Sequence, residues 1–235
     1  MTRIILILLL ALLTAGAQGQ NPKRDFRGAW IQCVNDQWRG MAPAEMQRTL
    51  THQLNELQRS GINVCIFQVR AEFDALYYSK MEPWSAFLSG QQGVPPSPMW
   101  DPLAWMVQQC HQRGMECHAW INPFRAKHAR TSEVCATHIC RAYPNNYFRH
   151  SGQYIFNPGL PENRTYICRV AADIVRRYDI DGLHIDDYFY PYPVAGVAIP
   201  DDASYAAYGQ VMERGDWRRR NVNLFIKELM ASLRD

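Results

Sequence analysis

The residues best suited to chemistry are Asp186 and Asp187, in the run Asp181-Gly-Leu-His-Ile-Asp-Asp-Tyr188. Two adjacent carboxylates repel one another, which suits acid/base work or a nucleophile kept ionised by a neighbour. Arg70 or His184 nearby would favour the charged form of Asp186. Glycoside hydrolysis needs a carboxylate facing the anomeric carbon and a proton donor. The competing reading is an Asp-Asp pair that only caps a loop. For His184 the competing reading is a satisfied core histidine. Asn122-Pro-Phe-Arg125 reads either as a turn after a strand or as a ligand clamp.

Four strand-then-helix units position these residues. The strands are Arg27 to Ile31, Asn63 to Arg70, Glu116 to Asn122 and Gly182 to Asp186. The first helix starts near Pro43, carries Met46, Leu50, Leu54 and Leu57 at helical spacing, and stops at Ser60-Gly61. The second opens at Asp101-Pro102, an N-cap followed by proline, and runs to Arg113. The third spans about Glu162 to Tyr178 and the last about Asn221 to Leu233. Alternating strands and helices imply parallel strands and an α/β fold.

The connections differ in length. Helix-to-strand links are a few residues, whereas the strand-to-helix segments 71–100, 123–161 and 187–220 are long. Long loops above strand C-termini build the active face of a (β/α) barrel, and a doubly wound sheet binds ligand at the same edge. Period-two alternation puts Gln68 and Arg70, Asn122, and His184 and Asp186 on shared faces, each strand turning polar at its C-terminal end. Converging polar ends are what a pocket needs. Trp30, Trp120 and Tyr188 belong to a dense set of aromatic residues near these loops, and sugars stack on such rings.

The 235 residues are 47% hydrophobic and 20% charged, enough apolar material for a core. A net charge of +3 gives no footprint for nucleic acid. Arg214, Arg218, Arg219 and Arg220 read as a solvated helix face. Arg3, the apolar run Ile4–Leu13 and Ala15-Gly16-Ala17 read as an export signal, residues 1–19, cut near Ala17 or Gly19. The run is too short to span a bilayer, so stable membrane insertion is not expected after cleavage. The seven cysteines are odd in number, and only Cys135 and Cys140 share a loop that could bridge them. His184, Asp186 and Asp187 lack further ligands spaced for a metal, and no nucleotide-binding glycine motif occurs, so neither metal nor cofactor is expected.

Six blocks carry a family resemblance. They are Phe26-Arg-Gly-Ala-Trp30, Phe67-Gln-Val-Arg70, Asp74-Ala-Leu-Tyr-Tyr-Ser79, Glu82-Pro-Trp-Ser85, Trp120-Ile-Asn-Pro-Phe-Arg125 and Asp181–Tyr188. Together, in this order, they resemble the glycosyl-hydrolase-like family ten domain, a bacterial envelope group with a (β/α)8 TIM-type barrel distantly similar to the α-amylase clan. The resemblance covers residues 24–235 as one domain and implies a glycosidase. One member of the group cleaves peptidoglycan glycan stripped of its peptides.

By the same resemblance Asp186 holds the nucleophile's place at the end of the fourth strand, with Asp187 as neighbouring candidate. Trp30, Gln68, Arg70, Trp120, Asn122, Arg125, His184 and Tyr188 would bind the sugar. The clan's acid/base glutamate follows a fifth strand. Only four units are read here, so the barrel is expected to be C-terminally truncated. The expected partner is a polysaccharide and the expected location periplasmic or secreted. A non-catalytic glycan-binding protein using the same cleft is the alternative.

Overall fold

The computed structural model describes residues 25–131, 133–209 and 211–234. The export signal expected over residues 1–19 lies outside these. Four parallel strands, β1 (Gly28–Ile31), β2 (Val64–Arg70), β3 (Glu116–Ile121) and, last in the chain, β7 (Gly182–Ile185), form one sheet in the order β1-β2-β3-β7. Between them run α1 (Pro43–Arg59), the short α2 (Ala86–Ser89), α3 (Pro102–His111) and α5 (Pro161–Arg177). The four expected units are therefore present, as an α/β parallel sheet in sequential order, the arrangement of part of a barrel wall.

Local sequence explains α1, α3 and α5. Proline opens α1, α3 and α5, where its missing N–H costs nothing. The Asp101 carboxylate caps α3 by accepting from the Ala104 N–H at 3.0 Å. Met46, Leu50 and Leu54 of α1, and Ile167, Val170 and Ile174 of α5, are buried against the sheet's outer face. On that face stand Cys65, Phe67, Cys117, Ala119 and Ile121. At its N-terminal end β7 is anchored by Asp181, whose carboxylate accepts from the Cys117 N–H at 2.8 Å and contacts the His111 ring at 2.9 Å.

Strand register decides what faces inward. Trp30 pairs with Ile66, Gln68 with Trp120, and Trp120 with His184. Side chains in such lateral pairs share a face, so Trp30, Gln68, Trp120 and His184 lie together as the alternation predicts. Arg70 departs from it. A β-bulge between Gln68 and Arg70 brings Arg70 opposite Ile121, a residue of the outer face. Bulges re-aim side chains. Arg70 turns away from the inner wall, is fully buried, and makes a bidentate pair with Glu82 at 2.7 Å through both Nε and Nη2.

The segment 123–160, expected as loop, contains a second sheet. Strands β4 (Arg125–Lys127), β5 (Tyr147–His150) and β6 (Gln153–Phe156) form an antiparallel sheet ordered β4-β6-β5, with α4 (Ile139–Ala142) before it. Its hairpin turns at Ser151-Gly152, both at positive φ (47° and 80°), the geometry of a tight two-residue turn that glycine favours. After β7 come α6 (Asp202–Tyr208) and α7 (Arg214–Ser232). The last helix begins at Arg214 rather than near Asn221. Its first turns bury Trp217 and place Arg218 on the Asp201 carboxylate, 2.7 Å through both Nε and Nη2. Arg214 adds a 3.5 Å contact to Asp201. These two arginines are thus paired, not merely solvated. All seven cysteines are free thiols, Cys135 and Cys140 included. Among the described residues no helix is long and apolar enough to cross a membrane.

The buried Arg70–Glu82 pair supports a direct stability prediction. Removing one partner of a buried ion pair strands the other charge, at a cost of about 3–5 kcal/mol, whereas replacing both with apolar residues is far milder. Arg70→Met should therefore lower the unfolding free energy in urea by about 3–5 kcal/mol, and Arg70→Met/Glu82→Met should recover most of it. A single variant no weaker than the double one would contradict the assignment.

Candidate active site

The strand C-termini are joined by a relay of side-chain amides. The Cys33 backbone N–H donates to Gln68 Oε1 at 3.0 Å. Gln68 Nε2 donates to Asn122 Oδ1 at 2.6 Å, and Asn122 Nδ2 donates to Asp186 Oδ2 at 2.6 Å. Gln68 and Asn122 are fully buried. Because the Cys33 N–H can only donate, Gln68 must present its oxygen to it and its NH2 to Asn122. That fixes Asn122 with its NH2 toward Asp186. The chain of bonds thus sets the orientation of one carboxylate from three strands away.

Arg70 serves this relay from behind. Its Nη1 donates to the Asn122 carbonyl at 2.6 Å, and the Asn122 N–H donates to the Arg70 carbonyl at 2.8 Å. Its guanidinium lies 3.8 Å over the Phe73 ring, and Phe73 itself holds a φ of 55°, uncommon outside glycine. The expectation that Arg70 binds sugar or faces Asp186 is therefore corrected. Arg70 is enclosed and holds the backbone that carries Asn122.

The other anticipated residues divide into two groups. Trp30, Trp120 and His184 form a ring cluster with centroids 5.9–6.2 Å apart on the inner face. Trp30 is 65% exposed, an open platform. Partial burial lowers the His184 ring against the opposing pull of Asp186, so it is neutral near pH 7 and supplies no full charge there. Tyr188 and Arg125 lie on the other side of Asp186. The Tyr188 N–H reaches Asp186 Oδ1 at 3.4 Å, and its hydroxyl donates to Gln153 Oε1 on β6 at 2.8 Å. The Arg125 guanidinium sits 5.5 Å over the Tyr188 ring, and its buried Nε has no hydrogen-bond partner in the protein. Asp187 is exposed and turned the other way, accepting from the Tyr192 hydroxyl at 2.5 Å. The two adjacent carboxylates thus do not share one environment.

Sequence reasoning missed Glu72. It lines, with Arg125, His128 and Thr131, a pocket of about 650 Å³ beside the relay. Its carboxylate accepts from the His128 N–H at 2.9 Å and from the Thr131 hydroxyl at 2.7 Å. Burial, with Asp74 beside it, pushes the Glu72 carboxyl up to about 7. A group poised there can hold or release a proton near neutral pH. The signal was available, because Glu72 and Asp74 follow the end of β2 much as Asp186 and Asp187 follow β7. Among the described residues no cluster of His, Cys, Asp or Glu has the geometry to hold a metal ion.

The raised Glu72 value has a definite consequence for stability. The folded protein takes up a proton that an unfolded glutamate would release above its ordinary value near 4.5. This contribution is complete below pH 4.5 and is lost as pH rises through 7. Relative to Glu72→Gln, the wild type should lose on the order of 3 kcal/mol between pH 4.5 and 8 in urea unfolding. A difference that stays flat across that range would contradict the buried, protonated carboxyl.

The geometry agrees with relationships visible at the level of whole proteins. Residues 25–235 match the family described as Glycosyl hydrolase-like 10. The chain is 37% identical over 219 residues to Glycosyl hydrolase YngK of Bacillus subtilis (strain 168), covering 90% of this chain and 42% of that protein. It is 32% identical over 241 residues to Glycosyl hydrolase DigH of Escherichia coli (strain K12), covering 93% of this chain and 54% of that protein. The chain therefore spans about half the length of these relatives. In fold it resembles alpha-L-fucosidase isoenzyme 2 from Paenibacillus thiaminolyticus, with a TM-score of 0.59 at 12% identity, over 88% of this chain and 30% of that one. The parallel four-stranded sheet fits part of a glycosidase TIM barrel. With the blocks around Trp30, Gln68, Asn122 and Asp186 all inside the matched span, this chain belongs to the Glycosyl hydrolase-like 10 family.

Proposed function

We propose that the chain forms the nucleophile side of a glycoside hydrolase that cleaves O-glycosidic bonds of a cell-wall polysaccharide, peptide-free peptidoglycan glycan strands included. The observation that carries this reading is the Asp186 carboxylate. It is held by the Asn122 amide at the C-terminal end of the fourth parallel strand, between the Trp30–Trp120–His184 cluster and Arg125–Tyr188. Asp186 acts as nucleophile or charge stabiliser at the anomeric carbon. The exposed Trp30 ring offers a stacking surface for a sugar, and Arg125, whose guanidinium lies over the Tyr188 ring, supplies donors for its hydroxyls. Family membership and two relatives named as glycosyl hydrolases support the reaction class. We further propose that the chain is exported to the periplasm or beyond, on the reading of residues 1–19 as a signal.

A second reading, a glycan-binding protein without hydrolytic activity, is favoured by one specific observation. Asp187, the neighbouring candidate for a proton donor, is turned outward to Tyr192.

Incubation with peptide-free glycan strands, followed by mass spectrometry, separates the two. The enzyme reading expects shorter oligosaccharides from the wild type and a loss of at least 1,000-fold in rate, about 4 kcal/mol, for Asp186→Asn. Binding without any product, or full activity in Asp186→Asn, would overturn it. N-terminal sequencing of the exported protein should begin near Gln18 or Gln20, and retention of Met1 in the exported fraction would contradict the signal reading.

A further inference from the structure

We infer that one face of the β4-β6-β5 sheet is a second saccharide-binding site, separate from Asp186 and selective for sugars that carry a carboxylate. Lys127 and Arg149 are both register partners of Tyr154, one from each neighbouring strand. The three side chains therefore stand in a row across the sheet. Lys127 Nζ lies 5.1 Å and the Arg149 guanidinium carbon 4.9 Å from the centre of the Tyr154 ring. Tyr147 stacks on Tyr154 with centroids 4.8 Å apart. Together with Arg141 and Glu133 these residues line a pocket of about 380 Å³.

The charges of this row are left without protein counterions. By contrast Arg70, Arg164 and Arg218 are paired, with Glu82, Glu228 and Asp201 respectively. Among the described residues no carboxylate lies within 4.0 Å of Lys127 or Arg149. Arg141 approaches Glu133 at 3.8 Å, so the lining holds three cations against one carboxylate. Lys127 is buried, yet the hydrogen bond its ammonium makes is to the His128 carbonyl at 3.3 Å. A cation that deep gains most from an anion arriving from outside.

The stacked tyrosines define the rest of the ligand. A lone phosphate has no use for two aromatic faces, whereas a sugar ring lays its C–H face on one and its acidic group toward the flanking cations. The lining residues include neither Asp186, Asn122 nor Tyr188. The same sheet nevertheless carries Gln153, which holds Tyr188 at the active face. An acidic stretch of polysaccharide bound here would be anchored on a rigid element joined to the catalytic strand.

Titration calorimetry in an Asp186→Asn background tests the site without turnover, so it does not depend on whether the chain hydrolyses anything. The probes are trigalacturonic acid, neutral maltotriose and inorganic phosphate. The site predicts that the acidic trisaccharide binds at least tenfold more tightly than the neutral one. It also predicts a tenfold or greater loss in Arg149→Glu, whose exposed position leaves folding intact by thermal melt, and weakening as NaCl rises. Equal binding of both trisaccharides, no binding of the acidic one, or affinity unchanged in Arg149→Glu would overturn the proposal. So would complete displacement by an equal concentration of phosphate.

Discussion

The structure turns on the hydrogen bond between the Asn122 amide and the Asp186 carboxylate. An amide is symmetric enough to sit either way round, and one orientation would set oxygen against oxygen. What prevents this is burial. Gln68 and Asn122 are removed from water, so every donor and acceptor in the row must find its partner inside the protein. The backbone N–H of Cys33 starts the row with a donor that cannot be reversed, and the sense of each later bond follows. The position of the proposed reacting carboxylate is thus inherited from backbone geometry at the end of β1.

Arg70 explains why the row can exist at strand ends, where chains usually diverge into loops. Its guanidinium ties the Asn122 carbonyl to β2 while Glu82 neutralises it. The bulge that turns Arg70 outward leaves Gln68 facing inward, so two polar residues spaced two apart serve opposite faces of one strand. The long segment after β2 contributes Glu82, Phe73 and Glu72 to this arrangement. The segment after β3 contributes Arg125 and, through Gln153, the support of Tyr188. The long strand-to-helix connections are therefore structured parts of the candidate site, while the short connections at the opposite end serve the sheet itself, as Asp181 does in anchoring β7 to Cys117.

Much of this was legible in the sequence because its physics is local or periodic. Proline and glycine punctuate the helices, alternation sorts Trp120, Asn122, His184 and Asp186 to one face, and the polar strand ends mark the edge along which the Gln68–Asn122–Asp186 row lies. The misreadings have equally physical causes. Alternation assumes an unbroken strand, and nothing in Val69-Arg70-Ala71 announces a bulge, so alternation alone sets Arg70 on the inner face beside Gln68. The β4-β6-β5 sheet is built of strands three and four residues long, too short for a periodic signal. The first turns of α7 are rich in arginine and read as solvent-facing. Their role depends on Asp201, which becomes their partner only once the chain is folded. Glu72 stood in view but gains its character from burial, which composition does not reveal.

The central claim is that Gln68 and Asp186, which share no contact, are coupled through Asn122. A double-mutant cycle measures this directly. The stabilities of Gln68→Ala, Asp186→Ala and the combined variant would be compared with wild type by urea unfolding. Independent sites add within about 0.3–0.5 kcal/mol, whereas members of one hydrogen-bond network deviate by 0.5–3 kcal/mol. The relay predicts a deviation of about 1 kcal/mol or more. Strict additivity would show that Asn122 does not transmit orientation from Gln68 to Asp186, and would contradict the account.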